Sequence, residues 1–234
     1  MGAFAPTLFG GKMRLINILI ILSFVFCVNN VFAKIYDRNQ GRDIKLPSQH
    51  VLESITIADA AAAATANVLN DNDGDTDGSG ATVSTFLVAQ DVPRALQITP
   101  VSTTADVKAG NVTVTGTNVF GETITEAFAF LDNASTATTG TKAFKTVTSI
   151  SFPAEDSPYT AQWDVGFTDK LGLDHCMDYA GDLAWATADG TYEGTRPTCT
   201  ADADEVEKNV CDPNTAANGA VDFTFYFIQN YRCH

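Results

Sequence analysis

The stretch NVTVTGTNVFGETITEAFAF, residues 111–130, places Val112, Val114, Ile124, Phe128 and Phe130 at alternating positions among Thr and other small or polar residues. Side chains of an extended chain point to opposite faces in turn, so this period of two predicts two strands with one face in a core. Asn118 to Gly121 supplies the turn between them, which predicts a hairpin of strands 111–118 and 121–130. The pattern repeats outward from there. KAFKTVTSISF (142–152) reads as a third strand, PAEDSP (153–158) breaks it, and AQWDVGF (161–167) resumes. VDFTFYFIQNY (221–231) sets Val221, Phe223, Phe225 and Phe227 on one face against Asp222, Thr224 and Tyr226 on the other. Many short strands separated by Gly, Pro and Asn turns predict an all-β, antiparallel sandwich or barrel over 81–234. Phe223, Phe225 and Phe227 are expected inside it, with Ile124, Phe128 and Phe130 opposite or nearby.

The chain before residue 81 reads differently. Residues 15–28, LINILIILSFVFCV, follow Lys12 and Arg14, and Val31-Phe32-Ala33 precedes Lys34. A basic start, a short apolar run and small residues before a boundary predict an export signal over 1–33, or else an uncleaved apolar arm used in assembly. Met13 begins the better-proportioned version of that signal. The run is shorter than the roughly 20 residues a spanning helix requires, so no membrane contact is expected after processing. Residues 34–80 read as an extended arm. Within it, DAAAAATANVL (59–69) predicts a short Ala-rich helix with Asp59 as N-cap, and NDNDGDTDGSG (70–80) predicts an acidic loop.

Charge narrows the partners. The chain of 234 residues carries 14 Lys+Arg against 28 Asp+Glu, a formal net charge of −14, and every acid lies beyond residue 33. Nucleic-acid binding rests on neutralising phosphates, and anionic membranes attract bases, so this balance argues against both partners. Apolar residues make up 45% of the chain, enough for a folded core.

Cysteines point to an oxidising compartment. Cys27 lies in the apolar run, and the other four, Cys176, Cys199, Cys211 and Cys233, all fall in the last part of the chain, at spacings of 23, 12 and 22. These gaps lack the close pairs of a zinc site, and an even number in an exported chain predicts two disulfides. Of the three connectivities, Cys199–Cys211 with Cys176–Cys233 is expected, because the nearest pair closes the short acidic turn ADADEVEKNV between them.

A search for chemistry yields little. Asp73-Gly74-Asp75-Thr76-Asp77-Gly78 starts like a calcium loop, but the twelfth position is Ser84 rather than a bidentate acid, which favours a solvated loop. His50, His175 and His234 share no paired spacing, Gly78-Ser79-Gly80 is not a nucleophile elbow, and no phosphate-binding glycine motif occurs. Acidic pairs are abundant, and none is marked by an apolar neighbourhood. No catalytic residue, cofactor or metal is therefore assigned. Asn111 and Asn133 begin glycosylation sequons, which matter only in a eukaryotic secretory pathway.

Asp91-Val92-Pro93-Arg94, NVTVTGTNVFGETITEAF (111–128), GTKAFKTVTSI (140–150) and VGFTDKLGL (165–173) resemble β-rich structural proteins of tailed bacteriophages, of the head-decoration, minor-capsid or tail-component type. The resemblance covers about residues 85–175 and, more loosely, 221–231. It implies an immunoglobulin-like sandwich in a non-enzymatic virion protein that self-assembles or binds other capsid or tail proteins. It transfers no catalytic residue. The export signal and the cysteines depart from that pattern, and they suggest as alternative a secreted or cell-surface, fibre-forming module of a bacterium.

Overall fold

A computed structural model describes residues 52–73, 77, 79–101 and 104–228. The expected leader (1–33), the first part of the arm, His50, Cys233, His234 and most of the calcium-like loop lie outside the described residues. The strands, in chain order, are β1 (Leu52–Ile57), β2 (Leu69–Asp73), β3 (Thr82–Val83), β4 (Arg94–Val101), β5 (Gly110–Thr117), β6 (Thr123–Phe130) and β7 (Thr138–Phe144). They continue as β8 (Thr146–Ser151), β9 (Gln162–Gly172), β10 (Leu183–Ala188), β11 (Thr191–Tyr192), β12 (Thr198–Thr200), β13 (Val210–Asp212) and β14 (Phe223–Ile228). Among the described residues there is no α-helix, only three single-turn 3₁₀ segments. The strands form three sheets: β1-β14-β10-β11, β12-β13-β9-β4-β7 with β2 also on β9, and β3-β8-β5-β6. All their pairings are antiparallel.

The hairpin read from the sequence is present. β5 and β6 pair from Gly110↔Phe130 to Thr117↔Thr123. The turn closes because the buried Asn118 side chain accepts from the Phe120 and Glu122 amides, both at 3.0 Å. Gly121 completes it at φ +83, a conformation glycine reaches without strain. Val112, Val114, Ile124, Phe128 and Phe130 are buried, as the alternation requires.

The predicted third strand is two strands. β7 pairs with β4 in the second sheet, while β8 pairs with β5 in the third. The break falls at Lys145, whose amide donates to the Thr117 carbonyl at 2.7 Å. Both halves share strand composition, so only the change of partner separates them. The result is a sandwich-like layer: Leu96, Ile98 and Val165 of the second sheet join Val112, Val114 and Phe128 of the third in one core. Trp163 sits at its centre with no exposure, edge-on to Phe130 at 5.0 Å. Its indole donates to the buried Glu155 carboxylate at 3.3 Å.

Several expectations are corrected by the packing. Phe223, Phe225 and Phe227 do not face Ile124, Phe128 and Phe130. They build a second core with Ile57, Leu171, Leu173, Met177 and Leu183, under the sheet β1-β14-β10-β11. The inward side of each strand was legible in its alternation, but alternation carries no information about which strand lies across the core. β9 supplies both cores, with Trp163, Val165 and Phe167 in the first and Leu171 in the second.

The Ala-rich segment is not a helix, and the described part of 34–80 is not an arm. Asp59 takes a positive φ of 49° instead of capping a helix. Residues 60–68 lie against β9: the Ala64 amide donates to the Phe167 carbonyl at 3.1 Å and the Val68 amide to Val165 at 2.9 Å. The Ala61 carbonyl accepts from the buried Arg94 guanidinium at 2.6 Å. An isolated helix of this length is marginal in water, and these tertiary bonds outweigh alanine's small propensity advantage. Asn70–Asp73 continue as strand β2 rather than loop. Ala60, Val68 and Leu69 are core residues, and β1 pairs with β14 over its whole length.

Candidate functional site

Among the described residues, four places where the fold gathers chemistry-bearing side chains stand out. The first is a wide-mouthed cleft of about 370 Å³ lined by Ala63–Thr65, Gln97, Thr139, Thr168, Asp169, Lys170 and Asp212. β9 and β13 pair through Leu171 and Cys211, which brings Asp169 and Asp212 into electrostatic contact across two strands that are far apart in sequence. Burial raises the Asp212 carboxyl above its ordinary value, the Asp169 charge raises it further, and Lys170 opposes them. Asp169 accepts from the Ala217 amide at 3.3 Å. A carboxyl held protonated to higher pH can donate a hydrogen bond to a ligand oxygen. The cleft is open and its wall mixes polar groups with Ala63, Ala64 and Phe167, so it does not shut out water as the apolar pocket of a strongly raised catalytic acid does. Sequence reading missed the pair because neither acid carries a local signal.

The second place surrounds His175. Its Nε2 lies 3.0 Å from Glu53 on β1, and its Nδ1 lies 3.1 Å from Asp174. The ring stacks on Phe227 with centroids 6.3 Å apart. Burial lowers its pKa, but the hydrogen bonds and charges of Glu53 and Asp174 prevail, so it is raised overall. A histidine that ties a strand to a loop through two carboxylates is a structural clasp. The third is Lys142, 3.1 Å from Glu207 and 3.3 Å from Glu205, which joins β7 to the 3₁₀ turn Val206–Lys208.

The fourth is the outward face of β3-β8-β5-β6. Thr82 opposes Ser151, which opposes Thr113, which opposes Ala127. Ser149, Thr115 and Thr125 form the next row, and Thr146, Thr117 and Thr123 the last. Thr117 and Thr146 share a hydroxyl hydrogen bond of 2.7 Å, and Thr82 donates to Ser151 at 3.2 Å. None of these side chains is ionisable at neutral pH. In a chain of net charge −14, this is an uncharged platform of hydroxyls and methyls.

Of the cysteines, Cys199 and Cys211 oppose each other in the β12–β13 register and form the expected disulfide. Cys176 is buried and disulfide-bonded, and Cys233, its expected partner, is outside the described residues. Among the described residues no three His, Cys, Asp or Glu side chains converge to hold a metal. No helix among them is long and apolar enough to cross a membrane. No protein-family model matches the chain, and neither a curated protein nor a solved structure matches it.

Proposed function

We propose that this chain is a non-enzymatic structural protein that works by assembly with copies of itself or with other particle components. In this reading it is a virion protein, of the capsid-decoration, minor-capsid or tail type of tailed bacteriophages, on an immunoglobulin-like sandwich. The observation that carries it is the uncharged Thr/Ser/Ala face of β3-β8-β5-β6. Molecules of net charge −14 repel each other over most of their surface, and that repulsion is weakest where no ionised group stands. The resemblance to phage structural proteins gives the same class of function, since its phrases fall on β4 to β9 and on the turn between β5 and β6.

Sedimentation velocity over a wide range of concentration, with a screen against hydrolase substrates, tests the proposal. Concentration-dependent association without turnover is expected. A turnover abolished by Asp212→Asn would overturn it. The Cys199–Cys211 disulfide favours a second reading, an exported cell-surface or fibre module, because such bonds persist in oxidising surroundings. Immunogold labelling separates the two: label on released particles supports the virion, and label on the cell envelope supports the surface module.

A further inference from the structure

We infer that β6 is a contact strand, and that its partner is β6 of a second copy, paired antiparallel about a twofold axis. This rests on the assembly reading above and names its partner. β6 is eight residues long, pairs with β5 on one side, and has no hydrogen-bonded strand on its other side among the described residues, where the hydrogen bonds from β7 go to the Glu126 carboxylate. Its outward residues Thr123, Thr125, Ala127 and Ala129 are exposed and uncharged.

Edge strands of monomeric proteins are usually protected by outward charges, prolines or bulges. Here the acids near the strand are engaged within the molecule. Glu126 turns inward and accepts from the Thr141 amide at 2.6 Å and the Thr141 hydroxyl at 2.9 Å. Gly140 leaves it room, since a Cβ there would lie 2.6 Å from the Glu126 carboxylate. Glu122 accepts from the Asn118 side chain at 2.9 Å, and Asp132 from the Ala109 amide at 2.5 Å.

The ends of the strand supply self-complementarity. Phe120 precedes β6 with 57% exposure and Leu131 follows it with 80%. In an antiparallel twofold pair, the leading end of one strand lies beside the trailing end of the other. Phe120 of each copy then meets Leu131 of its partner, twice, as an isologous contact demands. One strand pair buries less than the roughly 1,200–2,000 Å² of a standard interface. Association is therefore weak for two free copies and effective in an assembly that repeats it.

The test uses the full chain. Hydrogen exchange at low and high protein concentration should show slower exchange of 123–130 as concentration rises, with 198–200 unchanged. In sedimentation equilibrium, Ala127→Lys should weaken association by about tenfold or more, because it places a charge from each copy on the same face of one short strand pair and charges the edge itself. Phe120→Ser combined with Leu131→Ser should also weaken it, while Tyr179→Ser, an equally exposed site elsewhere, should not. Thermal melts establish that each variant folds. Association that persists unchanged in the folded β6 variants overturns the contact strand and leaves the assembly reading standing. A wild-type chain that is monomeric at every concentration, and absent from particles and envelopes, overturns both.

Discussion

Phe225 is inaccessible to solvent between Phe223 and Phe227, whereas Thr224, one residue earlier, turns its hydroxyl to Thr56 at 3.1 Å. Truncating a fully buried phenylalanine costs about 3–5 kcal/mol, and an exposed hydroxyl pair is worth about 1 kcal/mol or less. Urea denaturation should therefore show Phe225→Ala far below Thr224→Ala in stability. His175 gives a pH-dependent prediction. Its folded pKa is raised, so the native state holds the proton more tightly than the unfolded chain. The stabilisation is complete below the ordinary histidine value of about 6.5 and is lost as pH rises through the folded value. His175→Gln should lower the melting temperature near pH 5.5, and the difference from the wild type should shrink as pH rises above the ordinary histidine value. Asp212 has the opposite consequence. Its carboxyl is also raised, so the folded state bears a cost once the group ionises. Asp212→Asn should stabilise the protein at neutral pH, with the gain vanishing below the ordinary carboxylate range.

At the scale of elements, the β12–β13 hairpin shows how a sequence signal and a tertiary device combine. The nearest cysteine pair closes it, as spacing suggested. Between the two cysteines, the buried Asn209 amide does the organising. It accepts from the Met177 amide at 2.8 Å and the Asp202 amide at 3.0 Å, and donates to the Asp202 and Glu205 carbonyls. Met177 belongs to a different loop, so no inspection of 199–211 alone reveals that bond. A cross-link between residues 12 apart contributes roughly 3 kcal/mol by limiting the unfolded chain. Cys199→Ala combined with Cys211→Ala should lower stability by about that amount. The Asn209 bonds should persist, so hydrogen exchange of Met177 should stay slow relative to its exposed neighbours. β7 and β8 make the complementary point. A continuous run of Thr, Val, Ile and Phe is legible as strand, and its division between two sheets is not, because β4 and β5 compete for it from outside the segment.

For the whole molecule, the dominant quantity is charge. A net −14 sets like charges against one another along the chain, and salt screens exposed charges over a Debye length that shrinks from about 30 Å at 0.01 M to about 10 Å at 0.1 M. Thermal stability should rise with ionic strength over that interval, and self-association should strengthen in parallel. A fall in both would show that local ion pairs, such as Lys142 with Glu205 and Glu207, outweigh the global repulsion. The sequence by itself determined the strand class, the inward residues of the β5–β6 hairpin and of β14, the turn at Asn118–Gly121 and the Cys199–Cys211 pair. Each is set by alternation, turn chemistry or short spacing, which act within a few residues. Tertiary structure decided the rest: the extended path of the Ala-rich segment along β9, the division of the aromatic residues between two cores, the meeting of Asp169 with Asp212, and the place of β6 at the end of its sheet among the described residues. All of these depend on which distant backbone groups and side chains compete for the same partner, and a local pattern fixes a face without choosing what lies opposite it.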